Sequence, residues 1–462
     1  MPNHRSIILI TVDSLRADRI GGSLTPNIER WAAGAVRLTG AVANGPHTSA
    51  SFPSILGSRY LSHGGFSANT PSIAEVLKAR GYRTAAFVAA NPYISKWAGY
   101  AKGFDTFVDW MDARRSDVTE QFKGIAGTGG ILRRALGTRR LPVLQFANGL
   151  LGRRKRPFPS GQTVVDEALK WVKFGSGPAF LWVHLMDLHY PYFSEDRPDE
   201  VSRLEYAAGL MRVLLGVPRG GVELMGRLYD LRVRDVDSVA GRLLKEIEGG
   251  SAGPDPIIAF TADHGEQFAE RGGYAHPSSL FEEQLRVPLA IGGVGPVPAV
   301  LSGQFSLIDL SPTLLGLAGV QAPAEFEGRD HSAQIREKAP GDFAPRVISE
   351  AAHIGGGQIP VMFPGADSRG PGKMFWTFSL RSGKWKYIFD DEGQKERLFN
   401  LESDPCEREN RVADETGQLH ECREFLNVHR SGPSSLPGES GPVLSAAEAE
   451  LVKRQLEDLG YL

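Results

Sequence analysis

The chain has 462 residues, 41% hydrophobic and 23% charged, a balance of ordinary globular domains that excludes a disordered or fibrous chain. With 54 acidic against 52 basic residues the net charge is −2, so the chain as a whole is no polyanion binder and no nucleic-acid partner is expected. No apolar run reaches the length of a membrane span, and two cysteines, Cys406 and Cys422, are too few for a disulfide framework or a thiolate metal site.

Met1 to Ser6 is short and polar, and the apolar run Ile7 to Val12 follows at once, ending in Asp13-Ser14-Leu15-Arg16-Ala17-Asp18. That ending is no leader-peptide cleavage site. The run reads as a buried first strand, and a cytoplasmic location is the expectation. A helix is predicted from Thr25 to Ala32, with Thr25 as its cap and Pro26 at its first position. A second covers 72–80 and stops at Gly81. Thr84 to Ala90 reads as the next strand. Residues 163–172 read as a helix, Ala179 to Met186 as a buried strand, 222–248 as a long amphipathic helix, and Pro256 to Thr261 as another apolar strand. Strands alternating with helices predict an α/β fold with a mostly parallel, doubly wound sheet. Its site lies beyond the carboxyl ends of the strands. Asp13, Asn91, Asp187 with His189, and Asp263 with His264 all stand just after strand candidates.

Two regions depart from this pattern. Between Arg114 and Arg156, eleven Lys and Arg face two acids, Asp117 and Glu120. This basic insertion, about 113–160, reads as a solvated surface or as a patch that attracts an anionic substrate or a membrane surface. From 374 onward, Met374 to Leu380 and Lys384 to Phe389 read as strands joined by Arg381-Ser382-Gly383. They imply a small C-terminal antiparallel subdomain over 374–462 behind a catalytic domain over 1–373. Residues 431–441 read as a linker and 445–459 as a closing helix.

Three stretches carry residues suited to chemistry. In Thr261-Ala262-Asp263-His264-Gly265-Glu266, an Asp-His pair at a strand end offers a carboxylate and an imidazole to a divalent ion, with Asp13 as a further carboxylate. His276 follows twelve residues after His264. Two carboxylates with an imidazole suit Zn or Mn better than Ca. The stretch Asn44-Gly45-Pro46-His47-Thr48-Ser49-Ala50-Ser51-Phe52-Pro53-Ser54-Ile55 carries four hydroxyls and reads by itself as a Ser-rich loop before a helix. A bound metal can ionise a serine there without a His-Asp relay. The third stretch, His184-Leu185-Met186-Asp187-Leu188-His189-Tyr190-Pro191-Tyr192, places polar residues after an apolar strand.

Taken in order, these motifs resemble the sulfatase family within the alkaline phosphatase superfamily. The resemblance extends to Gly81-Tyr82-Arg83-Thr84-Ala85, Leu285-Arg286-Val287-Pro288-Leu289, Asp309-Leu310-Ser311-Pro312-Thr313 and Leu398-Phe399-Asn400-Leu401. It implies an alkaline-phosphatase-like sandwich around a large mixed, mostly parallel sheet, with a small C-terminal antiparallel sheet plus helix. It implies one divalent ion, or two, with Asp13, Asp263 and His264 as ligands. The nucleophile falls at Ser51, either as serine or after conversion to formylglycine. Asn91 binds a non-bridging oxygen. His189 and His276 contact the anion, protonate the leaving group, or hold a second metal with Asp187.

The chain departs from that family at several positions. Ser51 stands where sulfatases commonly carry Cys, Ile55 where they carry Arg, Ser14 where a second Asp is frequent, and His264 where many have Asn. These changes lean toward phosphoester-cleaving relatives, and the step from His264 to His276 resembles the phosphoethanolamine transferases. The expectation is a metal-dependent hydrolase of sulfate or phosphate esters acting on an anionic small-molecule or glycan ester. The alternatives are a phosphodiesterase or phosphotransferase with unmodified Ser51, and a non-catalytic anion-binding member.

Overall fold

The computed structural model describes residues 5–111, 158–173, 175–190, 192, 218–272, 274–295, 298–354, 374–432 and 445–459. The basic insertion lies almost wholly outside the described residues, as does most of the 431–441 segment.

The first strand, β1 (Ile7–Val12), has all six residues buried. A strand with no polar face must be covered on both sides, as central strands of parallel sheets are. After it come β2 (Val36–Val42), β3 (Arg83–Val88), β4 (Thr106–Val108), β5 (Ala179–Leu185) and β6 (Ile257–Ala262). A two-stranded ribbon, β7 (Gln267–Phe268) and β8 (Tyr274–Ala275), precedes β9 (Leu289–Gly292) and β10 (Ala299–Ser306). The main sheet has eight strands in the order β10-β2-β9-β6-β1-β5-β3-β4. It is parallel except at β9, which runs antiparallel to β2 and to β6. The expected mixed, mostly parallel sheet is therefore present.

Helices Pro26–Ala32 and Gly161–Lys173 both pack on Pro218–Glu246, and a second group joins Thr48–Gly57, Ile73–Ala79 and Leu310–Leu317. Local signals act as expected at Ile73–Ala79, where Ser72 and Glu75 form a reciprocal capping box and Gly81 turns left-handed at φ 83°. They do not at Pro26–Ala32. Thr25 makes no side-chain cap there, and its hydroxyl accepts instead from Gly21 N at 2.7 Å. The buried carboxylate of Asp237, from the long helix, takes Asn27 N and Ile28 N at 3.0 and 2.8 Å. A charged acceptor at a helix N-terminus outcompetes a neutral hydroxyl. The stretch read as a Ser-rich loop before a helix differs in part. Residues 44–47 are loop, but from Thr48 it is already the helix Thr48–Gly57, with Pro53 inside and every residue buried. Burial of all its faces compensates for the backbone bond that proline removes.

The small sheet is antiparallel, in the order β11 (Arg346–Ile354), β12 (Met374–Ser382), β13 (Trp385–Asp390) and β14 (Lys395–Asn400). Its apolar face covers helix Thr416–Arg430 through Ile348, Phe378, Leu380, Leu398, Leu419 and Leu426. The final helix, Ala446–Leu459, returns to the main core through Val452, Leu456 and Leu459. There Gln455 donates to Ala90 O at 2.8 Å, one residue before Asn91. A buried cation ties the two sheets' regions together. Lys386 Nζ on β13 lies 3.0 Å from Glu282 Oε1 and 2.8 Å from Glu407 Oε1.

Candidate active site

Strand register places the site. Val12 is paired with Ala262 across β1 and β6, and with Leu185 across β1 and β5. The next residues of the first pair, Asp13 and Asp263, therefore leave the sheet side by side. Backbone geometry holds them there. Ser14, at φ 60°, donates its hydroxyl to Asp13 Oδ1 at 2.7 Å and its amide to Asp263 Oδ1 at 3.2 Å. His264 N also donates to Asp263 Oδ1, at 2.9 Å. Gly265 and Glu266 are zipped to the segment at Glu283–Gln284, with Gly265 N on Gln284 O at 2.7 Å and Glu266 N on Glu283 O at 3.1 Å.

Asp13, His184 and Asp263 each offer a ligand atom within 4.8 Å of the other two, and all three are buried. His264 stands beside them, its Nε2 3.5 Å from Asp263 Oδ2. The Nε2 of His184 lies 3.8 Å from Asp13 Oδ2. Both rings are oriented through Nδ1. His184 Nδ1 is bonded to Thr11 Oγ1 at 2.9 Å and His264 Nδ1 to Gly265 O at 2.8 Å. Both Nε2 atoms are buried without a hydrogen-bond partner. Imidazoles fixed through one nitrogen, with the other directed at carboxylates, have the arrangement of metal ligands. His184 opens the third of the sequence stretches but carries no ligand role there. Its place inside an apolar strand gives no such signal, and its facing Thr11 across the sheet is what directs it here.

The electrostatics are those of two acids forced together. Burial and the adjacent Asp13 charge push Asp263 up to about 7. Burial would raise Asp13 too, but His184, His189 and His264 hold it well below the usual carboxylate range. Burial and His276 lower His264 to about 4.

Asn91 reaches the same cluster. Its Nδ2 is 3.4 Å from Asp13 Oδ2 and from Thr48 Oγ1, while its Oδ1 accepts from Tyr93 N at 3.0 Å. His276 and His189 extend the site outward, with ring centroids 4.7 Å apart for His264–His276 and 5.4 Å for His189–His276. Burial disfavours charge on His276, but Glu266 Oε1, 3.2 Å from its Nδ1, raises it. Burial lowers His189. Asp187 turns elsewhere. Its Oδ1 accepts from Gly161 N at 3.1 Å, at the start of Gly161–Lys173. Ser51 is buried next to the cluster, but its hydroxyl donates to the main-chain oxygen of Asp263 at 2.6 Å. Of the two carboxylates Ser14 Oγ meets Asp13 alone, whereas Thr48 Oγ1, on the same helix as Ser51, meets both, 2.9 Å from Asp263 Oδ2 and 3.2 Å from Asp13 Oδ2. Among the described residues no helix is long and apolar enough to cross a membrane.

Comparison with known proteins places the chain among sulfatases. Choline-sulfatase of Rhizobium meliloti is 28% identical over 196 residues, which span 42% of this chain and 35% of that protein. Delta 4,5-hexuronate-2-O-sulfatase of Bacteroides thetaiotaomicron is 31% identical over 187 residues, 39% of this chain and 34% of that protein. The matched part is thus about a third of the length of these curated relatives. The phosphonate monoester hydrolase of Agrobacterium radiobacter shares the fold, with a TM-score of 0.66 at 17% identity over 96% of this chain and 99% of that one. The family model for Sulfatase matches residues 5–320, the span that contains both strand ends carrying Asp13 and Asp263, and the chain belongs to the sulfatase family.

Proposed function

We propose that the protein is a hydrolase of anionic esters, sulfate or phosphate, that works with a divalent ion held by Asp13, Asp263 and His264, with His184 as a further ligand. The observation that carries this reading is the pair of fully buried carboxylates facing imidazole Nε2 atoms that have no hydrogen-bond partner. An isolated buried pair of acids costs several kcal/mol unless a cation or a proton offsets it. The mixed oxygen and nitrogen donors favour Zn or Mn over Ca. Bound there, the ion would act as a Lewis acid on an ester oxygen and lower the pKa of a hydroxyl nucleophile.

The chain's own residues supply the remaining roles. Asn91 Nδ2, beside Asp13, donates to a non-bridging oxygen of the ester as negative charge develops. His276, whose proton affinity Glu266 raises, protonates the leaving alcohol, and His189 lines the same side. The hydroxyl-bearing helix Thr48–Gly57 supplies the nucleophile. Relatives named for choline sulfate and for a sulfated hexuronate support a small anionic molecule or a glycan ester as substrate.

The test is metal depletion and reconstitution. Chelator-treated protein is mixed with Zn, Mn or Ca, then followed by thermal unfolding and by hydrolysis of p-nitrophenyl sulfate and p-nitrophenyl phosphate. An ion present at a hundredfold over its Kd adds about 2.7 kcal/mol of stability. Asp263→Asn loses both that gain and the turnover. A protein that neither binds an ion nor cleaves either ester would refute the proposal.

A further inference from the structure

We infer that Thr48, rather than Ser51, is the nucleophile, that it acts as an unmodified hydroxyl, and that the esters cleaved are phosphate esters. This rests on the hydrolase reading above and deepens it.

The helix Thr48–Gly57 carries four hydroxyl side chains, and the structure separates them by what they touch. Ser49 bonds His47 Nδ1 at 2.8 Å, Ser51 donates to Asp263 O at 2.6 Å, and Ser54 donates to Arg59 O at 3.1 Å. Thr48, at the first position of the helix, is different. Its Oγ1 lies 2.9 Å from Asp263 Oδ2, 3.2 Å from Asp13 Oδ2 and 3.4 Å from Asn91 Nδ2. It therefore touches both proposed ligand carboxylates and the amide assigned to the anion. The alternative, that Thr48 merely ties the carboxylates together, leaves one contact unexplained. A hydroxyl has a single proton to donate, so with both acids ionised it satisfies one carboxylate and sets a bare oxygen against the other. Three converging oxygens of this kind suit a shared cation, and a threonyl oxygen among them stands where a nucleophile is needed. The first turn of a helix also favours negative charge on that oxygen.

The residue type then limits the chemistry. Formylglycine arises by oxidation of a side-chain CH2 that carries a hydroxyl or thiol. The Cβ of threonine carries a methyl group, and its oxidation gives a ketone rather than an aldehyde. An aldehyde hydrate can expel its ester group through its second hydroxyl. A threonyl ester has no second hydroxyl and is opened only by attack at the central atom. Phosphorus undergoes such in-line displacement in both directions. In the first half, Thr48 Oγ1 bonds to phosphorus as the bond from phosphorus to the alcohol oxygen breaks. The threonyl proton passes to water, and one proton ends on the alcohol. In the second half, a water oxygen bonds to phosphorus, the threonyl oxygen leaves and regains a proton, and phosphate departs. The sum is ester plus water giving alcohol plus phosphate.

The test traps the intermediate on the full chain loaded with Zn or Mn. The protein is mixed with p-nitrophenyl phosphate or bis(p-nitrophenyl) phosphate and quenched in acid, and the peptide containing both residues is fragmented in a mass spectrometer. The expected result is one phosphoryl group on Thr48. Thr48→Val, which keeps the shape without the hydroxyl, loses the label and about 1,000-fold or more in turnover, with its thermal midpoint close to that of the parent. Thr48→Ser keeps the label, and so does Ser51→Ala, at residue 48. A label on Ser51, or formylglycine at that position, overturns the inference and leaves the hydrolase reading standing. Faster turnover of p-nitrophenyl sulfate than of either phosphate overturns the substrate class. Absence of turnover with every ester overturns both readings.

Discussion

Gly265→Ala tests whether the seam beside the site sets its geometry. A Cβ added at Gly265 falls 2.2 Å from Glu283 O and 3.2 Å from Glu283 C. Non-bonded carbon and oxygen atoms keep about 3.5 Å apart, so the backbone must retreat by roughly 1 Å. The obstacle is main chain and cannot rotate away, and the bond from Gly265 N to Gln284 O at 2.7 Å is lost or lengthened. His264 and Asp263 precede Gly265 directly, so the displacement passes to two of the proposed ligands. A misplacement of about 1 Å costs on the order of 100-fold in rate, equivalent to about 2.7 kcal/mol of transition-state stabilisation. Initial rates over a range of substrate concentrations, with metal content measured on the same samples, give the answer. Gly226→Ala is the control. It lies inside the helix Pro218–Glu246 with nothing within 4 Å of the added Cβ. It should leave activity unchanged and stabilise the fold by up to about 1 kcal/mol. Gly265→Ala within twofold of the parent in kcat/KM, with full metal content, would refute the idea that this seam positions the ligands.

Lys386→Met should destabilise the protein by about 3–5 kcal/mol, read as a lower urea midpoint. It leaves Glu282 and Glu407 buried together without the ammonium that lies 3.0 and 2.8 Å from them. Adding Glu282→Gln and Glu407→Gln to that variant should recover much of the loss, and a single-variant loss below about 1 kcal/mol would contradict the account. His63 and Glu327 form a pair at 2.7 Å with side chains 12% and 23% exposed, which on the scale of exposed ion pairs amounts to about 1 kcal/mol. Burial opposes charge on His63, yet Glu327 raises it above 6.5, and burial of Glu327 is outweighed by His63 and Tyr60 N, which lower it below 4.5. The raised His63 contributes fully below its unfolded value and loses that contribution as pH rises through its folded value. The lowered Glu327 contributes above its unfolded value and loses it as pH falls. The pair is therefore strongest between these limits, and His63→Gln should lower the thermal midpoint more at about pH 5.5 than at about pH 9. An equal loss at both would show that the pair carries no charge-dependent stability.

Much of this protein is readable along the chain. The mostly apolar runs at Ile7–Val12, Ala179–Leu185 and Ile257–Ala262 read as central strands, because a strand with so little polar surface has to be covered on both sides, and every residue of the three is buried. Polar residues that end such runs fall at the carboxyl edge of a parallel sheet, which is why Asp13, Asn91, Asp263 and His264 were identifiable before any contact was known. The ordered motifs likewise identified the family. Tertiary structure decided what linear position does not encode. β9, only four residues long, runs antiparallel because its pairing is set by neighbours on both sides rather than by its own pattern. His184 is hidden in an apolar strand, and only its register with Thr11 sends it to the cluster. Asp187 follows a strand as Asp13 does, yet it bonds the amide of Gly161, because a helix N-terminus stands within its reach. Thr48 and Ser51 are three residues apart on one helix, similar in chemistry and both buried. One meets two carboxylates and the other a main-chain oxygen, because helix Thr48–Gly57 presents its first residue to the strand ends and lays its next turn against the backbone that follows β6.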